Sequence, residues 1–132
     1  MSFSSDLKKF AAKTDSNLEK VIRGTVLSMT TGIINRTPVD TGRLRGNWQS
    51  DINRAPSGES DTTDKTGGIA KSKAKAAINN LKGDNTFYFV NNLPYAIAIE
   101  EGHSKVKAPR GMVRVTVAEF QREAKQRARA VK

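Results

Sequence analysis

LKKFAAKTDSNLEKVIRGTVLSMTTGIIN, residues 7–35, decides the architecture. Its apolar residues Leu7, Phe10, Ala11, Leu18, Val21, Ile22, Val26, Met29 and Ile33 recur at helical spacing, while Lys8, Lys9, Lys13, Asp15, Glu19, Lys20 and Arg23 fall mostly off that stripe. Asp6 stands just before it as an expected N-cap, where a carboxylate accepts a free backbone N–H. Pro38 ends it, because proline lacks an N–H and pushes Thr37 out of helical geometry. Such a helix is about 43 Å long at a rise of about 1.5 Å per residue. A compact chain of 132 residues has a diameter of about 36 Å. The helix is too long for its own domain, so part of its apolar stripe must overhang and needs another subunit to cover it.

Outward from that helix comes TPVDTGRLRGNW, residues 37–48. Asp40 is expected to accept N–H groups two or three residues on. Gly42 is free to take a left-handed backbone, so Pro38, Asp40, Thr41 and Gly42 read as a structured turn. Trp48, Ser50 and Ile52 then alternate with Gln49 and Asp51, as in a half-buried strand with the only tryptophan in the core. Residues 54–68 are almost wholly polar and are expected to form a long mobile loop, since they bury too little apolar area to offset their ordering entropy. A short helix follows, with Ile69, Ala74, Ala77, Ile78 and Leu81 on one side and Gly83 after it. TFYFVN, residues 86–91, is the clearest strand. Tyr95 to Glu101 fits either a helical turn or a second strand. Gly102 to Gly111 is a basic loop, and Met112 to Val131 a helix with Val113, Val117, Phe120, Ala124, Ala128 and Val131 on its apolar face. The expectation is one α+β domain over residues 1–132, with Trp48, Phe87, Phe89 and Phe120 in its core.

With its ten glycines counted, the chain is about 44% apolar, close to the globular range. The absence of cysteine and the single histidine exclude disulfides, thiolate chemistry and multi-histidine metal cages. No apolar run approaches the roughly 20 residues of a membrane span, which points to a soluble protein of a reducing cytoplasm. The net charge is +10, and its distribution matters more than its sum. Nine basic and two acidic residues follow Glu101, a concentrated source that suits an anionic partner.

No phosphate-binding loop is present. Glu100 and Glu101 are adjacent, so on a helix or a strand they diverge rather than share a substrate. His103 is a lone loop histidine, and no serine lies in a nucleophile motif. An enzyme is not expected, nor a cofactor or metal. Arg43 and Arg45 flank the turn and Lys105, Lys107 and Arg110 line the basic loop, but no helix-turn-helix, zinc-finger or RNA-binding motif accompanies them. Non-specific contact with DNA needs only charge.

Taken together, the 37–48 stretch, FYFVNNLPYA at 87–96 leading to IEEGH at 99–103, and APRGMVR at 108–114 resemble the neck proteins of long-tailed bacteriophages. These are also called tail-completion, minor tail or head–tail joining proteins. The likeness spans nearly the whole chain in three ordered motifs. It implies a fold similar to tail terminators, with the long N-terminal helix and the basic C-terminal helix packed on a small antiparallel sheet. It also implies a structural virion protein, made in the bacterial host cytoplasm and placed at the head–tail junction. The implied assembly is a homo-oligomeric ring, hexameric by analogy, around the DNA channel. Its implied neighbours are a head-completion or connector protein and a tail terminator or tail tube protein, with genomic DNA passing non-specifically and no membrane. Candidate interface or channel contacts are Arg43, Arg45, Lys105, Lys107, Arg110, Arg122, Lys125, Arg127 and Arg129. A tail terminator ring and a small basic DNA-binding protein are the competing readings.

Overall fold

The computed structural model describes residues 3–102, 108 and 110–130, apart from the side chains of residues 3, 10–16, 124 and 127–130. Lys105 and Lys107 therefore lie outside the described residues. The chain is α+β. Its elements are α1 (Phe3–Arg36), α2 (Arg43–Gly46), β1 (Trp48–Ile52), α3 (Gly68–Ile78), β2 (Phe87–Asn91), α4 (Tyr95–Glu100) and α5 (Val113–Ala130). The two strands pair antiparallel, from Trp48 opposite Asn91 to Ile52 opposite Phe87.

That register puts Trp48, Ser50, Ile52, Phe87, Phe89 and Asn91 on one face of the ribbon. Trp48 and Phe89, diagonal neighbours on it, stack with ring centroids 4.7 Å apart. Around the buried Trp48 close Ile33 and Ile34 of α1, Leu44, Ala70, Leu93, Ala96, Ala108 and Met112. Phe89 packs against this cluster while half-buried. Phe87 stacks on Phe89, and Phe120 lines a cleft between α1 and α5; both are half-buried and stand outside the central cluster. Of the four expected core aromatics, Trp48 is therefore buried at the centre and Phe89 packs half-buried against it, while Phe87 and Phe120 stand outside the core. Phe120 is displaced from it because α5 approaches α1 through small and polar residues, Gly32 and Arg36 facing Thr116 and Glu119.

Helix α1 runs 34 residues, about 51 Å. It starts before Asp6, which lies in the first turn rather than at the cap. Its C-terminus is closed as Pro38 requires, by side chains that replace the missing helical bonds. Thr37 Oγ1 donates to Ile33 O at 2.7 Å and accepts the Trp48 indole N–H at 2.9 Å. Arg45 spreads its guanidinium over the carbonyls of Asn35, Thr37 and Lys65.

In the turn, Asp40 is exposed and bonds to none of the described residues, contrary to expectation. The role falls to Thr41 Oγ1, which accepts the Arg43 N–H, and to the Gly42 carbonyl, which accepts from Gly46 and Asp64. Gly42 has φ of 90°, and a Cβ there would lie 2.7 Å from the Asp64 nitrogen. The four-residue α2 that follows has no apolar periodicity long enough to read in advance.

The polar segment 54–68, expected to be a flexible loop, is tied down along its length. Asn47, fully buried, donates to Ser60 O and accepts from Ser60 N. Gln49 donates to Gly58 O, and Asn92 to the carbonyls of Pro56 and Gly58. Buried Asp64 accepts the Ala70 N–H inside the first turn of α3. Side-chain amides hold this segment, which composition alone does not reveal. Helix α3 itself buries Ala70, Ala74 and Ile78, leaving Ile69 exposed. Of the two readings of Tyr95 to Glu101, the helical one holds over Tyr95–Glu100, entered from Pro94, whose backbone is already helical at φ −56° and ψ −37°.

Candidate functional site

Three surfaces carry what the chain offers a partner. The first is the N-terminal half of α1. Leu7 is 51% exposed, Leu18 56% and Val21 63%, whereas Ile33 and Ile34 at the other end are buried. Among the described side chains of this half, the apolar stripe is therefore uncovered at Leu7, Leu18 and Val21. A Cβ at Gly24 would meet nothing within 4 Å.

The second surface continues that stripe onto the body of the domain. Ile22, Val26, Met29 and Ile33 form one wall of an open groove of about 450 Å³, and Leu81, Phe87 and Phe89 form much of the other. Arg23 fastens the helix beside it by donating to Leu81 O at 2.9 Å.

The third surface is α5. Its start is built by Glu100, whose carboxylate accepts the N–H groups of Met112 (2.8 Å), Val113 (2.7 Å) and Arg114 (3.0 Å). These are among the orphan donors of a helix N-terminus, where negative charge is favoured. Burial pushes the Glu100 carboxyl up, but the backbone bonds from Arg114, Val113 and Met112 and the nearby Arg114 guanidinium outweigh it and hold it below the ordinary value. Gly111, with φ of 86°, brings the chain close enough for this; a Cβ there would sit 2.4 Å from Glu100 O. The inner side of α5 is then locked to α1. Arg36 donates to Thr116 Oγ1 at 2.8 Å and pairs with Glu119, and Thr116 Oγ1 donates to Met112 O. The adjacent pair Glu100 and Glu101 thus divides between a structural cap and an exposed side chain.

The basic residues singled out from the sequence separate into distinct groups. Arg45 is consumed by backbone carbonyls and is a structural residue, whereas Arg43 beside it is half-exposed. Arg110, Arg122 and Lys125 are exposed, and Arg114, absent from the sequence-based candidates, joins them with its side chain 57% exposed. The side chains of Arg127 and Arg129 lie outside the described residues. Glu100 and Arg45 were not legible as structural groups, since their bonds reach 12 to 14 and 8 to 20 residues along the chain. Among the described residues there is no group of three or more His, Cys, Asp or Glu arranged to hold a metal, and no helix long and apolar enough to cross a membrane. No family model, curated protein or solved structure matches the chain.

Proposed function

We propose that this chain is a structural protein of the head–tail junction of a long-tailed bacteriophage. In this reading it is a neck or tail-completion subunit of tail-terminator-like build, assembling as a ring between the head connector and the tail tube around the DNA channel. The observation that carries the reading is the uncovered half of α1, whose Leu7, Leu18 and Val21 are each more than half exposed on a helix of 34 residues. Large apolar side chains exposed repeatedly along one helix face support a site of association. In a closed ring each subunit offers one surface to a different surface of the next, so a projecting helix and a groove on the same chain are both used. The three motifs of the resemblance also coincide with working parts of the fold: the turn that closes α1, the β2–α4 corner, and the start of α5.

The test uses positions where polarity changes without a change in the fold. Leu18→Lys and Val21→Lys alter exposed side chains and should leave thermal stability within about 0.5 kcal/mol of wild type. In a complementation assay they should nevertheless abolish the joining of heads to tails. Wild-type yield of joined particles from both variants would refute the reading. Val21→Pro, which also breaks the helix, should fail for either reason and serves as the negative control.

A further inference from the structure

The charges of α5 are segregated, and this points to a ligand. Its two acids, Glu119 and Glu123, line the cleft against α1. At about 100° per residue, Arg114, Ala118, Gln121, Arg122 and Lys125 share about 100° of arc, whose centre lies about 130° from that of the two acids. Arg110, Arg114 and Arg122 surround a shallow basin of about 650 Å³ floored by Val115 and Ala118. A second basin, sharing Ala118 and Arg122, adds Gln121, Lys125 and Gln126. Every long polar side chain on this face carries N–H donors, and neither Arg122 nor Lys125 forms an ion pair among the described residues.

We propose that this outer face of α5 binds the phosphate backbone of duplex DNA without reading its sequence. The residues on it argue for phosphate over a protein partner. Protein interfaces are anchored by buried Trp, Tyr and Arg in well-packed pockets, whereas this face has no aromatic residue and its arginines surround a shallow basin with only Val115 and Ala118 between them. Protein–DNA contacts are instead polar, wet and strongly positive, and arginine, lysine and glutamine are typical phosphate donors. From Arg114 to Lys125 the helix spans about 17 Å. Along the axis of B-DNA that length carries about five phosphates per strand, enough for Arg114, Arg122 and Lys125, and Arg110 just before the helix adds a fourth contact. Ring closure is not needed for this contact. Loss of the ring reading would leave it standing, and its own failure would leave the ring reading intact.

The experiment is fluorescence anisotropy of the full chain with a labelled duplex of about 30 base pairs, in two unrelated sequences, between about 50 and 200 mM NaCl. Four phosphate contacts predict a slope of log Kobs against log salt near −3.6, equal for both sequences. R122Q/K125Q should reduce its magnitude by about 1.8, and R110Q/R122Q/K125Q by about 2.7. Arg114 is left in place because it also bonds Arg110 O and neighbours Glu100. The charge-matched control K73Q/K75Q, on exposed lysines of α3, should leave the slope unchanged. A slope unaltered by R122Q/K125Q, or lowered equally by the control, would overturn the proposal. Sedimentation of the same proteins covers the other occupant. Self-association that vanishes in R122Q/K125Q while the DNA slope stays at the wild-type value would assign the face to a second copy of the chain, and overturn it too.

Discussion

Replacing Glu100 by Ala strips the N-terminus of α5 of its acceptor, and the structure indicates how much that costs. Three backbone N–H groups converge on the carboxylate. Val113 and Arg114 are exposed, so their N–H groups can turn to water, and their share is that of an ordinary cap, about 1 kcal/mol. Met112 is 1% exposed, and its N–H would be left buried without a partner, a penalty of about 1–2 kcal/mol. The total of about 2–3 kcal/mol should lower the urea midpoint by roughly 1–1.5 M. Glu100→Gln keeps one acceptor oxygen but loses the charge, and should cost about half as much. The pH dependence separates the charge from the hydrogen bonds. Because the folded state lowers the Glu100 pKa, the unfolded chain binds the proton more readily. The cap's contribution is therefore complete above the ordinary value of 4.5 and is lost as pH falls through the lowered one. Urea unfolding of wild type, Glu100→Ala and Glu100→Gln from neutral to acid pH measures this. Wild type should lose its advantage over Glu100→Gln only in the acid range. A Glu100→Ala midpoint equal to wild type at neutral pH would refute the capping argument.

Asn47→Ala removes a fully buried amide whose three bonds reach Arg43 O, Ser60 O and Ser60 N; it should destabilise by about 3 kcal/mol and speed tryptic cleavage at Arg54 and Lys65 under native conditions. Unchanged cleavage would mean that the segment is not held by this residue. Arg45→Lys keeps the charge but loses the fork over three carbonyls, for an expected loss of about 1–2 kcal/mol in denaturant unfolding. Ser50→Ala should stabilise by about 1 kcal/mol, seen as a raised melting temperature, since the Ser50 hydroxyl is buried without a partner among the described residues.

Elements governed by local rules were legible in the sequence. The apolar period and Pro38 locate α1 and its end, and alternation together with aromatic content locates β1 and β2, while their pairing and register come from the structure. Overhang of α1 followed from length alone, and exposed Leu18 and Val21 are its structural counterpart. What escaped were bonds between residues far apart. Asp64 joining the turn to α3, Asn47 holding Ser60, and Glu100 capping α5 each depend on the fold being assembled, and none has a spacing that repeats. For the same reason Arg43 and Arg45, alike in sequence, differ in role: one guanidinium is half-exposed and the other closes a helix. On α5 the amphipathic pattern was readable, but that Glu119 and Glu123 line the cleft against α1 while Arg110, Arg114 and Arg122 line a separate basin required the position of α1.

The most direct test of the central claim is the position of this chain in assembled particles. On the proposed reading, gold labelling of an affinity tag on this chain, in phage particles assembled with the tagged protein, should place the label at the junction between head and tail. Averaged images should show a ring of density there that is missing from the unjoined heads and tails left by Val21→Lys. Label distributed over the capsid or tail fibres, or absent from intact particles, would contradict the account.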